Sequence, residues 1–163
     1  MRESTLSPRF TVEGAQDTRA LGARLARAWR ASDAAAHIPM LITLSGELGA
    51  GKTTFAGGLL QALGHAGAVR SPTYTLVEPY RFGDRDVHHC DFYRLRHPDD
   101  LDDLGWRDLH AAGSLLLVEW PERAEGRLGA TDLAVTLAYA GESKRELRFE
   151  ARSDAGVDVL AHL

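Results

Sequence analysis

MLITLSGELGAGKTTFAGGLLQALG, residues 40–64, sets three local patterns end to end. Met40 to Ser45 is a short apolar run between Pro39 and Gly46, the pattern of a strand buried on both faces. Phe55, Leu59, Leu60 and Leu63 then recur at helical spacing until Gly64, a residue suited to ending a helix. Between strand and helix, Gly46-Glu47-Leu48-Gly49-Ala50-Gly51-Lys52-Thr53 matches the spacing G-x-x-x-x-G-K-[ST] without a departure. Glycines allow main-chain N–H groups to turn inward around phosphate oxygens, and the helix start adds its partial positive charge. In that setting Lys52 is expected on the β- and γ-phosphates of a nucleotide and the Thr53 hydroxyl on Mg²⁺. The rival reading is a glycine turn that happens to precede a helix. The pattern arises by chance in on the order of one in a few hundred chains of this length, and the strand before it and helix after it weaken that rival further.

Working outward, Thr11 to Asp17 reads as turn and cap residues. Leu21, Leu25, Ala28 and Trp29 then form the apolar stripe of a helix ending near Ala31. Downstream, Thr75–Phe82 and Arg85–Asp91 read as two antiparallel strands joined across Gly83-Asp84. Pro98–Leu104 and Trp106–Ala112 read as helical, with Asp99 and Asp100 where a helix start favours acids. Leu115 to Val118 is a second fully apolar strand, ended by Glu119. Asp132–Tyr139 and Arg145–Ala151 alternate as a hairpin joined across Gly141. The last dozen residues carry no readable signal. With 163 residues, 44% hydrophobic and 26% charged, and no linker or repeat, the expectation is one domain over residues 1–163.

A phosphate-binding loop needs an acid on a neighbouring strand to hold the metal's water shell or to orient an attacking water. Glu119, at the end of an apolar strand, has the form of such an acid, against the plainer reading of a carboxylate reaching solvent. Asp91 is the second candidate. Strand alternation places it with His89 and Tyr93 on one face, and His88, Cys90 and Phe92 on the other. Adjacent strand residues point oppositely, so His88, His89 and Cys90 make a poor zinc set, and Cys90 is expected as a small buried apolar residue. The hydroxyls of Ser71-Pro72-Thr73-Tyr74-Thr75 suit contact with a γ-phosphate or Mg²⁺, and equally a plain Ser-Pro turn. Trp120 either stacks near a nucleotide base or simply packs.

The net charge is −4, and of 19 basic residues only Lys52 and Lys144 are lysines. Unaided binding of nucleic acid draws on a basic surplus that this chain lacks, so any RNA is expected to be held by a partner. One cysteine excludes an internal disulfide framework. Met1 to Phe10 is polar and no apolar run reaches bilayer length, so a cytoplasmic protein without a membrane association is expected.

GELGAGKTTF at 46–55, SPTYTLVEPY at 71–80, HCDFYRL at 89–95 and LVEWPER at 117–123 together resemble one family, the bacterial TsaE (YjeE) ATPases of tRNA threonylcarbamoyladenosine biosynthesis. The order and spacing are the family's, no key position departs from its pattern, and the likeness spans roughly residues 10–150. The resemblance implies an α/β fold, a three-layer P-loop NTPase domain with a mixed parallel/antiparallel central sheet. It implies ATP and Mg²⁺ as ligands, held by the loop residues Glu47, Leu48, Gly49, Ala50 and Gly51 with Lys52, Thr53 and Thr54. Lys52, Asp91 and Glu119 carry over as the catalytic set, and Thr53, Glu119 and Asp91 as the metal set. Thr73 and Thr75 match a switch-like segment, Trp120 and Arg145 lie near the nucleotide, and the helix entrance at Thr18 borders the adenine. It further implies ATP hydrolysis, low alone and stimulated by the two paralogous subunits, of the TsaD and TsaB type, that modify adenosine 37 of tRNA. A small-molecule kinase and a non-hydrolysing nucleotide switch are the competing readings of the same loop.

Overall fold

The computed structural model describes residues 7–163; the part of the polar N-terminal reading that falls on residues 1–6 lies outside them. Seven strands form one sheet: β1 Arg9–Glu13, β2 Met40–Ser45, β3 Val77–Phe82, β4 Arg85–Asp91, β5 Leu115–Glu119, β6 Leu133–Tyr139 and β7 Lys144–Ala151. Their spatial order is β1-β7-β6-β2-β5-β4-β3. β2 runs parallel to β5 and β6, and β4 parallel to β5, while the β3/β4, β6/β7 and β1/β7 pairs are antiparallel. The sheet is therefore mixed, as expected, with its parallel strands at the centre.

The central strands are covered on both sides, and the side-chain alternation shows how. Met40, Ile42 and Leu44 of β2, with Leu115 and Leu117 of β5, face a core shared with α1 Gly14–Ala31, α2 Lys52–Leu63 and α3 Asp154–Ala161. Leu41, Leu116 and Val118 face the opposite core, with Cys90, Phe92, Leu101, Trp106 and Leu128. A strand with period-two side chains and two apolar faces reads as a near-continuous apolar run, which residues 115–118 are, and residues 40–44 are but for the buried Thr43. Cys90 is fully buried, and that burial pushes its thiol pKa up. The stripe Leu21, Leu25 and Trp29 is core, as the helical spacing predicts.

Several boundaries differ from the sequence reading. Thr11 to Glu13 belongs to β1, and residues 14–17 form the first turn of α1. The strand signal is brief: only Phe10 and Val12 face inward, Phe10 meeting Phe149 edge-on at 5.6 Å between ring centroids. Residues 75 and 76 precede β3, because Leu76 adopts φ 66° and breaks the extended run. The helical stretches after β4 are 3-10 turns, at Pro98–Leu104 and Trp106–Leu109. Four aspartates in seven residues lower helix propensity, and Gly105 at φ 67° separates the two turns. The second covering layer is thus built from short turns rather than α-helices. The final residues, silent in sequence, form α3, whose N-cap Ser153 accepts a hydrogen bond from the Gly156 N–H at 3.1 Å. Among the described residues no helix is long and apolar enough to cross a membrane.

α1 and α2 cross closely at two glycines. A Cβ at Gly58 would lie 2.1 Å from the Arg19 carbonyl oxygen, and one at Gly22 would lie 2.2 Å from that of Phe55. Both obstacles are main chain and cannot rotate away. Alanine gains about 1 kcal/mol of helix propensity over glycine, yet forcing these helices apart costs about 1–3 kcal/mol or more in a filled core. Gly58→Ala is therefore expected to lower the unfolding free energy, read as a lower urea midpoint at unchanged slope; an unchanged or raised midpoint would show that the crossing is slack.

Candidate functional site

β2, β5 and β4 are parallel neighbours, so their carboxyl ends share one edge, the edge at which open α/β sheets place ligands. Residues 46–51 leave β2 there and turn into α2. Gly51 occupies the helix N-cap at φ 105°, and Gly49 sits at φ 81°, conformations that side chains disfavour. A Cβ on Gly49 would also fall 2.7 Å from the Tyr139 hydroxyl, which donates to the Leu48 carbonyl at 2.8 Å. α2 has no side-chain N-cap, so its first-turn amides remain available to an anion.

Lys52 is nearly fully buried and curls back over the loop, donating to the carbonyls of Gly46 at 2.5 Å and Glu47 at 3.0 Å. Its ammonium lies 4.1 Å from the centre of the Trp120 ring. Burial pushes the Lys52 pKa down, opposed by the charges of Glu119, Glu122 and Asp91. Trp120 reaches this position through a left-handed backbone, φ 57° and ψ 53°, costing on the order of 1–3 kcal/mol for a residue with a side chain. It stands against Lys52 and lines the cleft beside the loop, a position compatible with both sequence readings.

The acids arrive by register. Asp91 pairs with Glu119 across the parallel β4/β5 ladder, which sets two carboxylates side by side at the strand ends. The Thr53 hydroxyl donates to Glu119 Oε1 at 2.8 Å, and His89 Nε2 meets Glu119 Oε2 at 2.6 Å. Asp91 accepts from the Ser71 hydroxyl through Oδ2 and from the Tyr93 N–H at 2.9 Å through Oδ1. The alternation expected through Tyr93 stops at Asp91, where β4 ends and the chain turns, leaving Tyr93 partly exposed. His89 was legible as a neighbour of Asp91 on the same strand face; its contact with Glu119 was not, because strand pairing cannot be read from one segment.

Leu48, Gly49, Gly51, Lys52, Thr53, Thr54, Thr73, Asp91, Glu119 and Trp120 line a single cleft of about 380 Å³, joined by Ser71, Tyr93 and Arg94. Ala50 and Arg145 border a smaller hollow of about 190 Å³ with Gly14, Thr18 and Ser143, on the other side of Gly49, Gly51 and Thr54. Arg145 is packed on the Tyr139 ring, 4.2 Å from its centre. Glu47 supplies its carbonyl to Lys52 while its side chain is exposed. Thr75 does not line the cleft; with Tyr74 and Tyr80 it lines an adjoining hollow that shares Ser71 and Thr73 with the cleft.

The chemistry of the donors fits a hydrated hard cation beside an anion. Thr53 and the two carboxylates offer oxygen only, and Mg²⁺ is held by one or two carboxylates with several of its waters retained. The bare loop amides and buried ammonium fit a chain of phosphates.

Comparison with known proteins agrees with this geometry. The family described as threonylcarbamoyl adenosine biosynthesis protein TsaE matches residues 12–147. The TsaE protein of Haemophilus influenzae is 39% identical over 122 residues, covering 75% of this chain and 77% of the relative. That of Streptomyces coelicolor is 38% identical over 154 residues, covering 88% and 99%. The crystal structure of YdiB from Bacillus subtilis superposes with a TM-score of 0.74 at 28% identity, covering 98% of this chain and 95% of that one. The α/β P-loop NTPase fold, the cradle and the acids at the strand ends thus occur together in a chain that belongs to the TsaE family.

Proposed function

We propose that this chain, as one P-loop domain in the cytoplasm, binds Mg·ATP and hydrolyses it in support of tRNA threonylcarbamoyladenosine formation by a partner transferase complex. The observation carrying the reading is the convergence on one cleft of Lys52, the Thr53–Glu119 pair and Asp91 beside uncapped helix amides. On binding, the loop amides and Lys52 take the phosphates. Lys52 then exchanges the carbonyls of Gly46 and Glu47 for phosphate oxygens, and steadies charge that develops during transfer. A magnesium ion held by Thr53 and Glu119 would supply further neutralisation of the phosphate oxygens. Asp91, fixed by Ser71 and the Tyr93 N–H, is placed to accept a hydrogen bond from the water that attacks the γ-phosphorus, the products being ADP and phosphate.

The named role of the relatives in threonylcarbamoyladenosine biosynthesis supports the pathway. The net charge of −4 supports a division of labour in which partners of the TsaD and TsaB type hold the tRNA. Leu48 and Tyr93 at the cleft and Tyr74 in the adjoining hollow are exposed, which suits contact with protein. Phosphate release measured with and without the two transferase subunits tests the proposal. Stimulation by the pair, absent in Lys52→Ala, is the expected result; equal rates with and without them would remove the partner from the account.

A further inference from the structure

The cleft has a buried component that the proposed chemistry leaves unused. His89 is fully buried, its Nε2 lies 2.6 Å from Glu119 Oε2, and Glu119 itself is only 2% exposed. A carboxylate accepts and does not donate, so the hydrogen between them is carried by Nε2. The other oxygen, Oε1, is the one that accepts from Thr53 at 2.8 Å. Each carboxylate oxygen therefore has its own partner, one behind and one in the cleft. The terminal torsion of a glutamate is broad and roughly two-fold, so nothing within the side chain itself would hold that orientation.

The cost of keeping an imidazole here points the same way. His89 Nδ1 is buried and has no hydrogen-bond partner among the protein groups. Such an unpaired group is expensive in a core, and an apolar side chain of similar size would avoid it. Packing alone does not account for a histidine at this position, whereas the bond to Glu119 does.

We propose that His89 is a positioning residue that holds Glu119 Oε1 toward Thr53 and so sets the protein's affinity for the divalent cation accompanying the nucleotide. The proposal rests on the Mg·nucleotide reading above. Its prediction concerns the cation specifically: the hydrogen-bond partner of His89 is Glu119 and not the loop amides or Lys52, so metal-free nucleotide binding is expected to be independent of it.

The test is calorimetric titration of ADP, with EDTA and with MgCl₂, into the wild type, His89→Gln and His89→Asn. Glutamine places its amide nitrogen near the former Nε2 and still reaches Glu119, while asparagine is too short; both are polar and neither leaves a buried charge of its own. All three are expected to bind ADP alike in EDTA. The tightening produced by Mg²⁺ should persist in His89→Gln and fall by about 10–100-fold in His89→Asn, the range seen when partners of metal ligands are removed. An undiminished Mg²⁺ effect in His89→Asn, an equal loss in both variants, or a loss that also appears in EDTA would overturn the positioning role. A wild type that binds ADP in neither condition would instead remove the nucleotide reading on which it rests.

Discussion

Lys52→Ala is expected to lower kcat/KM for Mg·ATP hydrolysis by about 10²–10⁴-fold, from charge-assisted hydrogen bonds of about 1.5–3 kcal/mol to each of the β- and γ-phosphates. The fold should survive. Without nucleotide the ammonium is buried against main-chain carbonyls, and burial has already pushed its pKa down, so its removal relieves a desolvated charge. The unliganded thermal midpoint is thus expected to stay the same or rise while hydrolysis collapses. Lys52→Arg should not restore activity, because a planar guanidinium cannot occupy the space between the Gly46 carbonyl and the Trp120 ring that a compact ammonium fills. A Lys52→Ala protein that hydrolyses ATP within threefold of wild type would place the chemistry elsewhere.

Asp91→Asn separates binding from turnover. The substitution keeps the volume and one oxygen for the Tyr93 N–H, and the Ser71 hydroxyl can reverse to accept from the new amide. With Thr53 and Glu119 still available to the cation, Mg·ATP should therefore bind with little change. The charge that orients the attacking water is lost, and groups in that role contribute about 10²–10⁴-fold. Single-turnover phosphate release measures the step directly. If hydrolysis falls by that amount and support of the transferase falls with it, turnover is the function. If the transferase is still supported in full, the chain acts as a switch that needs nucleotide but not its cleavage.

The parts of the molecule legible in its sequence are those set by local pattern. Residues 40–64 contain an apolar run, a glycine loop and a helical repeat in contiguous order, and they fold as β2, the cradle and α2. The same holds for Leu115 to Val118, whose unbroken apolar character follows from cores on both faces. β1 was hidden because five residues with two inward side chains beside Gly14 and Asp17 resemble a helix entrance. α3 was hidden because half of its buried face is Ala155 and Gly156, residues too small to mark an apolar stripe, which leaves only Val159 and Leu160 to signal it; a Cβ on Gly156 would lie 2.1 Å from the Asp132 carbonyl oxygen. Ser153 followed by Asp154 was the available signal, a cap and an acid in the first turn.

The site divides in the same way. Lys52 and Thr53 are fixed by spacing within one loop, and Glu119 by ending a strand. The bonds that orient them depend on register between strands: Asp91 opposite Glu119, His89 behind Glu119, Ser71 over Asp91. Those contacts join residues 20 to 30 positions apart and carry no periodic trace in the chain. Thr75 shows the limit of reading a motif as a unit, since Ser71 and Thr73 line both the cleft and the hollow beside it while Thr75 lines only the hollow.

The central claim is that the loop amides, Lys52 and a Thr53-bound cation together enclose a triphosphate. Isothermal titration of Mg·ATP and Mg·ADP into the folded protein tests it most directly. Saturable heat for both nucleotides, abolished in Lys52→Ala, is the result expected here; no heat at millimolar nucleotide from folded wild-type protein would contradict it.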